Sequence, residues 1–446
     1  MNMSLAPVLQ QQDQQYSITQ DKAALIFAEA YAGKLRYDHS SARWFIWDDS
    51  HWREDLTSRT FELVRLFVRN LASRLDQRNR ESLGRLGFAE RVEKGARSDC
   101  RLAVTSNDWN ANQFLLGTPG GTVELKTGIL RPADPDDLIT KLTSVAPSPH
   151  VDCPGFLRFL DEATGGDREL IRFIQQFAGY SLTGSIREHA LVFVYGGGGT
   201  GKGTLANIIG GILKDYAKVA PMDTFMASGN QRHETELAML AGSRVVSATE
   251  TEKGKPWAEA KLKKLTGGDP IAARFMRQNF FTFEPTFKLW IIGNHKPTLR
   301  SADDAMRRRL NVIPFIRKPL VPDLLLDEKL RAEWPGILRW MINGALDWGK
   351  AGLVRPGCVV SATEDYLASQ DLLGRWLEES CETGPWPEYR DERGRLQASL
   401  RAFVMDSGAD PKDWNTAILE RFGNPKVVNG KRFYSGVRLK KQKDPV

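Results

Sequence analysis

Apolar residues along this chain recur at two different spacings, and the changes between them divide it. Met1 to about Tyr16 is polar and glutamine-rich without periodicity, which predicts a disordered tail. From Asp21 to about Val104 the spacing is mostly helical, interrupted by "YDHSSARWFIWDDSHWRED", whose alternation predicts a short aromatic hairpin with Trp44, Trp47 and Trp52 as a small core. "LLGTPGGTVELKTGILRPADP" places glycine turns on either side of Thr122–Lys126, the mark of a second hairpin. Phe156, Phe159 and Leu160, then Leu170, Ile171, Phe173, Ile174 and Phe177, sit at helical spacing on two successive segments, a helical collar.

The run "ALVFVY" is apolar throughout and rich in β-formers, as a parallel strand buried on both faces must be. Leu205, Ile208, Ile209, Ile212 and Leu213 then return to helical spacing, so the glycine-rich stretch between joins a strand to a helix. "SRVVSAT" and "FKLWIIG" read as two further strands. Beyond about Leu320 the pattern is helical again. The last segment has helices around Leu396–Val404 and Trp414–Phe422, then a basic hairpin turned at Asn429-Gly430, the order of a winged-helix module.

Composition narrows the class. At 446 residues the chain exceeds one core, and 41% hydrophobic with 26% charged residues describes a globular protein. Its apolar runs fall short of the roughly 20 residues of a membrane helix, and no signal-peptide segment opens it, so a cytosolic protein is expected. Cys100, Cys153, Cys358 and Cys381 are scattered, which predicts buried, reduced thiols and neither zinc nor disulfides. Net charge +7 favours a polyanionic partner, although 55 acidic residues stand among 62 basic ones.

The chemistry concentrates at strand ends. "GGGGTGKGT", Gly196 to Thr204, follows the first strand. Gly196, Gly197, Gly198, Gly199, Thr200 and Gly201 allow backbone N–H groups to face phosphate oxygens, a helix terminus adds positive potential, and Lys202 reaches the terminal phosphates. Gly203 stands where such loops carry a hydroxyl, so the Mg²⁺ ligand moves to Thr204 or to water, leaving a working cradle with a looser metal site. The second strand ends in Glu250 and Glu252; Glu250 is the first choice for holding Mg²⁺ and Glu252 its assistant, and which is the base stays open. The third ends at Asn294, an amide able to orient water or sense the γ-phosphate. Arg307, Arg308 and Arg309 follow, cations suited to stabilising transition-state charge in a neighbouring subunit.

From about Leu115 to Phe315 these segments, with "LKKLTGGDPIAARFMRQNFFTFEP" between the second and third, resemble the superfamily 3 helicases, specifically the phage/plasmid and poxvirus-like primase-helicase family. The resemblance implies an α/β fold: a P-loop (AAA+-like) ATPase core with a parallel sheet, preceded by an α+β/helical region and followed by a C-terminal winged-helix-like domain. It divides the chain into a tail (1–18), a mostly helical region (19–112), a pre-helicase domain with the collar (113–185), the ATPase domain (186–320), a helical segment (321–375) and the winged-helix-like domain (376–446). ATP and Mg²⁺ are implied, with Lys202 on the β/γ-phosphates, Glu250 serving metal and water, Asn294 the sensor, and Arg308 or Arg309 acting in trans. Lys263 or Lys264, with Arg274, belongs to an element preceding a pore hairpin within Arg274–Phe287. Arg277, Gln278, Asn279 and Phe280 are candidates for its DNA-gripping tip, and at least two of Phe280, Phe281 and Phe283 are expected only to pack it.

The implied protein is a ring-forming, hexameric replicative DNA helicase moving 3′ to 5′ on single-stranded DNA, with forked DNA and a separate primase or initiator as partners. Lys431, Arg432, Lys440 and Lys441 supply phosphate contacts in the C-terminal wing. Family members often begin with a primase domain that the first residues here do not match, so no primer synthesis is expected of this chain. A ring ATPase acting as a helicase loader, or a DNA-binding protein with an inert loop, are the competing readings.

Overall fold

The computed structural model describes residues 18–73, 77–227, 234–249, 256–276, 279–299, 303–319, 321–370, 372–385, 387–406, 418–419 and 421–440. The first unit runs α1 (Gln20–Ala30), β1 (Leu35–Asp38), β2 (Arg43–Trp47), β3 (Trp52–Glu54), α2 (Arg59–Ser73), α3 (Gln77–Leu83), α4 (Leu86–Ala96) and β4 (Ala103–Val104). The Thr19 hydroxyl accepts from the Lys22 N–H and starts α1. The expected hairpin is the middle of a four-stranded sheet, order β3-β2-β1-β4, in which β4 joins β1 in parallel. The sheet extends the expected hairpin inside a unit whose longer elements are helices; β4 is two residues long, too short to leave a period in the sequence. Trp44 and Trp52 are buried as the alternation implied. The Trp44 Nε1–H donates to Glu93, whose charge Arg97 answers through two 2.8 Å bonds.

The central body opens with a meander, β5 (Leu115–Thr118), β6 (Gly121–Glu124) and β7 (Ile129–Arg131), and continues with α5 (Pro154–Thr164) and α6 (Arg168–Leu182). Then follow β8 (Leu191–Tyr195), α7 (Lys202–Leu213), β9 (Ala217–Val219), α8 (Glu234–Ala238), β10 (Val245–Thr249), α9 (Glu259–Gly267), β11 (Ile271–Ala273), β12 (Phe281–Phe283), β13 (Lys288–Gly293), α10 (Asp304–Arg309), β14 (Leu310–Pro314), α11 (Leu326–Ala332), α12 (Trp334–Ala351) and α13 (Gly357–Gln370). The sheet has order β14-β8-β13-β10-β9 with every pairing parallel.

Both faces of this sheet are covered, which is why its strands read as unbroken apolar runs. Val192, Val194, Trp290, Ile292 and Ile313 face a core built with α5, α6, α7 and α12. Alternate residues Leu191, Phe193, Leu289, Ile291 and Val312 face a second core containing Trp257, which precedes α9, Leu262 and Leu265 of α9, and Tyr366 of α13. The first core extends from Leu116 to Val359, so the collar and the helices after Leu320 share it with the strands. α6 and α12 approach closely through small residues: a Cβ on Gly179 would lie 2.0 Å from the Ala345 nitrogen, and one on Gly344 2.1 Å from the Gln175 carbonyl oxygen.

Two cations are buried at the opposite edge of the sheet from the glycine loop. Arg244 donates to the Leu182 and Leu115 carbonyls and lies over the Tyr216 ring. Lys288 donates to the carbonyls of Thr183, Ser185 and Thr286 and lies 4.7 Å from the Tyr180 ring centroid. Burial, reinforced by Arg244, holds the Lys288 ammonium well below the usual lysine range.

The last unit comprises α14 (Leu372–Ser380), β15 (Cys381–Thr383), β16 (Arg390–Glu392), α15 (Arg393–Asp406), β17 (Lys426–Val428), β18 (Lys431–Ser435) and β19 (Val437–Leu439). Its sheets are β16-β18-β17 and β15-β19, around Trp376, Leu396, Leu400, Val404 and Tyr434. Asn429 and Gly430, at φ 48° and 75°, form the expected tight turn between β17 and β18. The helix expected at Trp414–Phe422 lies largely outside the described residues. Cys153 and Cys381 are buried and pushed up to about 12, and Cys358 to about 11, whereas Cys100 is exposed, against the expectation of four buried thiols. No described helix is long and apolar enough to cross a membrane.

Candidate functional site

Parallel pairing in register brings three strand ends to one edge. Tyr195 pairs with Gly293 and with Pro314, and Thr249 pairs with Ile292. The ends of β8, β10 and β13 therefore converge, the position where open parallel sheets bind ligands. Gly198 to Thr204, Thr249, and Ile292 to His295 line one cavity of about 650 Å³ there.

Within the loop the glycines divide into two kinds. A Cβ on Gly196 would lie 1.7 Å from the Phe315 carbonyl oxygen, and one on Gly201, at φ +88°, would lie 2.5 Å from the Phe159 ring. These two let the loop press against the protein. Gly197, Gly198, Gly199 and Gly203 have nothing within 4 Å of such an atom, and the last three of them line the cavity. α7 starts at Lys202, so its unpaired N–H groups and the positive end of its dipole point the same way.

Lys202 is buried, and its ammonium donates to the carbonyls of Gly196 (2.8 Å) and Gly197 (2.6 Å) and to the Thr200 hydroxyl (3.2 Å). Burial lowers its pKa. Thr200 and Thr204 both line the cavity; the Thr200 hydroxyl donates to the Gly197 carbonyl (3.0 Å). Asn294 is exposed to this cavity at the tip of β13. Glu250 and Glu252 lie outside the described residues; Thr249, immediately before Glu250, lines the cavity. Exposed glycine backbone, a helix start, a lysine and a hydroxyl fit a nucleotide's phosphates and a hydrated Mg²⁺. Among the described residues no group of three acidic, histidine or cysteine side chains offers a stronger metal cage.

A second cavity, of about 540 Å³, lies on the other side of the same loop and shares Gly199, Gly201 and Thr204 with the first. Phe159 and Ala163 of α5, Pro319 and Val321, and Leu326 and Leu330 of α11 give it apolar walls, with Arg158, Arg317 and Glu162 beside them. Sequence reasoning missed these residues. It assigned Phe159 to packing within the collar, although the prolines and leucines of "KPLVPDLLL" directly after a sheet strand were a visible anomaly.

The arginine cluster separates into three roles. Arg307 is paired with Glu364. Arg309 donates to the Ala305 carbonyl (2.9 Å), and its guanidinium lies beside Gly267 at the end of α9. Arg308 is exposed, and among the described residues its side chain donates to the Asp304 carbonyl, at 3.3 Å.

β11 and β12 form an antiparallel hairpin, Ile271 opposite Phe283, and residues 274–280 join them. Phe281 stacks on Phe275 and packs against Phe283, while Phe280 is 56% exposed with Arg274 lying 4.6 Å from its ring centroid. Asn279 is exposed; Arg277 and Gln278 lie outside the described residues. Lys264 is exposed on α9, whereas Lys263 is paired with Asp303. In the C-terminal hairpin Arg432 is exposed, Lys431 pairs with Glu392 at 3.1 Å, Lys440 donates to the Glu378 carbonyl, and Lys441 is not among the described residues.

Two family models match the chain: D5 N terminal like over residues 24–165, and a family of unknown function, DUF5906, over 194–309. The second begins at the end of β8 and finishes at Arg309. A candidate helicase of Acanthamoeba polyphaga mimivirus is 28% identical over 300 residues, 60% of this chain and 31% of that protein. A candidate helicase of Frog virus 3 is 25% identical over 238 residues, 48% of this chain and 24% of the relative. The chain thus spans less than a third of the length of these relatives. The C-terminal region of NrS-1, in its A-form apo structure, superposes with a TM-score of 0.51 over 94% of this chain and 100% of that one, at 12% identity, a likeness of fold.

Proposed function

We propose that this chain, a member of the phage and viral primase-helicase family, is an ATP-driven motor that translocates on single-stranded DNA during replication. The observation that carries the reading is the meeting of the open glycine backbone, Lys202, Thr204, Asn294 and the strand end before Glu250 around one cavity. In this reading the central sheet is a P-loop core of AAA+-like type, and the last unit is a winged-helix-like domain that holds duplex or forked DNA.

Gly197 to Gly201 and the start of α7 bind the phosphates, Lys202 exchanges loop carbonyls for β/γ-phosphate oxygens, and the second cavity receives the base. Thr204, and Glu250 through water, would hold Mg²⁺, which would supply neutralisation of phosphate charge. Glu250 or Glu252 polarises the attacking water, and Asn294 orients it. Arg308, exposed and lightly held, is the arginine that completes a neighbouring subunit's site, in a ring we take to be hexameric. Phe280, Arg274 and Asn279 offer an aromatic face and polar groups to single-stranded DNA passing 3′ to 5′ through that ring.

ATP hydrolysis measured with and without single-stranded DNA tests this reading, on the wild type and on Lys202→Ala. Hydrolysis that rises with DNA and is lost in the variant is the expected result. An absence of hydrolysis at every Mg²⁺ concentration would make Gly203 the mark of an inert loop and overturn the proposal.

A further inference from the structure

Lys263 was expected at a DNA surface, yet the fold directs it inward along the body. It lies on α9, whose Leu262 and Leu265 are buried in the second core, and its ammonium meets the Asp303 carboxylate. Asp303 has two tasks. Its Oδ1 accepts the Met306 N–H at 2.9 Å, capping the start of α10, and its Oδ2 accepts from Lys263. The side chains are 27% and 40% exposed, so the pair is partly shielded from solvent.

Each helix leads to a different working part. After α9, three residues including Pro270 connect to β11, where Ile271 and Ala273 are buried, so a short link ties the hairpin base to α9. α10 ends in Arg307, Arg308 and Arg309 and runs directly into β14, with Met306 and Leu310 buried in the same core. A second contact joins the two elements: a Cβ on Gly267 would lie 3.7 Å from an Arg309 terminal nitrogen, and the Arg309 Nε is buried without a hydrogen-bond partner among the described residues. α9 therefore touches the arginine helix at its beginning, through Asp303, and at its end, through Arg309.

We infer that the Lys263–Asp303 pair is a clasp that transmits displacement of the β11–β12 hairpin to the arginine helix, so that DNA in the hairpin sets the placement of Arg308 for the neighbouring site. Lys263 and Asp303 are positioning residues and touch neither DNA nor nucleotide. The inference rests on the motor reading above and adds the route by which DNA stimulates hydrolysis.

Asp303→Asn tests it cleanly, because asparagine caps a helix as well as aspartate does and only the charge is lost. ATPase activity with and without single-stranded DNA, and DNA affinity by fluorescence anisotropy, are measured on the wild type, Asp303→Asn, Lys263→Met and the double variant. The expected result is that Asp303→Asn keeps basal hydrolysis and DNA affinity within about twofold, while the stimulation by DNA falls at least fivefold. The double variant should be no worse than either single one, as members of one pair are non-additive. Unchanged stimulation in Asp303→Asn, or a loss of DNA affinity in Lys263→Met that Asp303→Asn does not share in stimulation, overturns the clasp and leaves the motor intact. A wild type without DNA-stimulated hydrolysis removes both.

Discussion

Single residues fix the loop and the sheet beneath it. Gly196 has no room for a methyl group against the Phe315 carbonyl, whereas Gly197 faces open space. Gly196→Ala should therefore cost about 3 kcal/mol by overpacking, and Gly197→Ala should leave the urea midpoint near wild type. Both are read from equilibrium unfolding. Lys288 gives a pH signature. Its folded pKa is lowered by burial while the unfolded value is about 10.4, so between the two the unfolded chain binds more protons. The penalty is complete below the folded pKa and is relieved as pH rises toward the unfolded one, so this residue makes stability increase with pH there. Lys288→Met should flatten the rise, measured as unfolding free energy between pH 7 and 10; an identical slope would contradict the assignment.

At the scale of elements, what the sequence made legible were the strands and their ends. "ALVFVY", "SRVVSAT" and "FKLWIIG" are β8, β10 and β13, because burial on both faces writes itself as an uninterrupted apolar run. A hairpin stands close to the expected Arg274–Phe287, but its first strand, Ile271–Ala273, precedes those bounds; Phe281 and Phe283 pack it as expected. Phe280, left exposed, should carry base stacking: Phe280→Ala is expected to weaken single-stranded DNA binding about tenfold, or ~1.4 kcal/mol, in an anisotropy titration. The four-stranded sheet of the first unit was not legible, since its parallel strand β4 has only Ala103 and Val104 and is recruited by β1 from distant sequence. Nor were the partners of charged residues. Lys263 and Lys264 are adjacent and chemically alike, and only the fold gives one of them Asp303.

For the whole molecule, one core from Leu116 to Val359 binds the helices before the glycine loop to those after the sheet, so the loop's two cavities are built by segments far apart in sequence. In the proposed reading, Arg308 completes the site of another copy. If Arg308 acts in trans, a 1:1 mixture of Lys202→Ala and Arg308→Ala, each inactive alone, should recover about a quarter of wild-type hydrolysis, because random assembly places an intact loop against an intact arginine at that fraction of interfaces. A mixture as inactive as its components would place the arginine's action within its own subunit. The central claim, that nucleotide hydrolysis here drives movement along DNA, is tested most directly by strand displacement on a forked duplex. The account predicts that wild-type protein releases the labelled strand with ATP and Mg²⁺, and that Lys202→Ala, or a non-hydrolysable ATP analogue, releases none. DNA-stimulated hydrolysis without any released strand would contradict it.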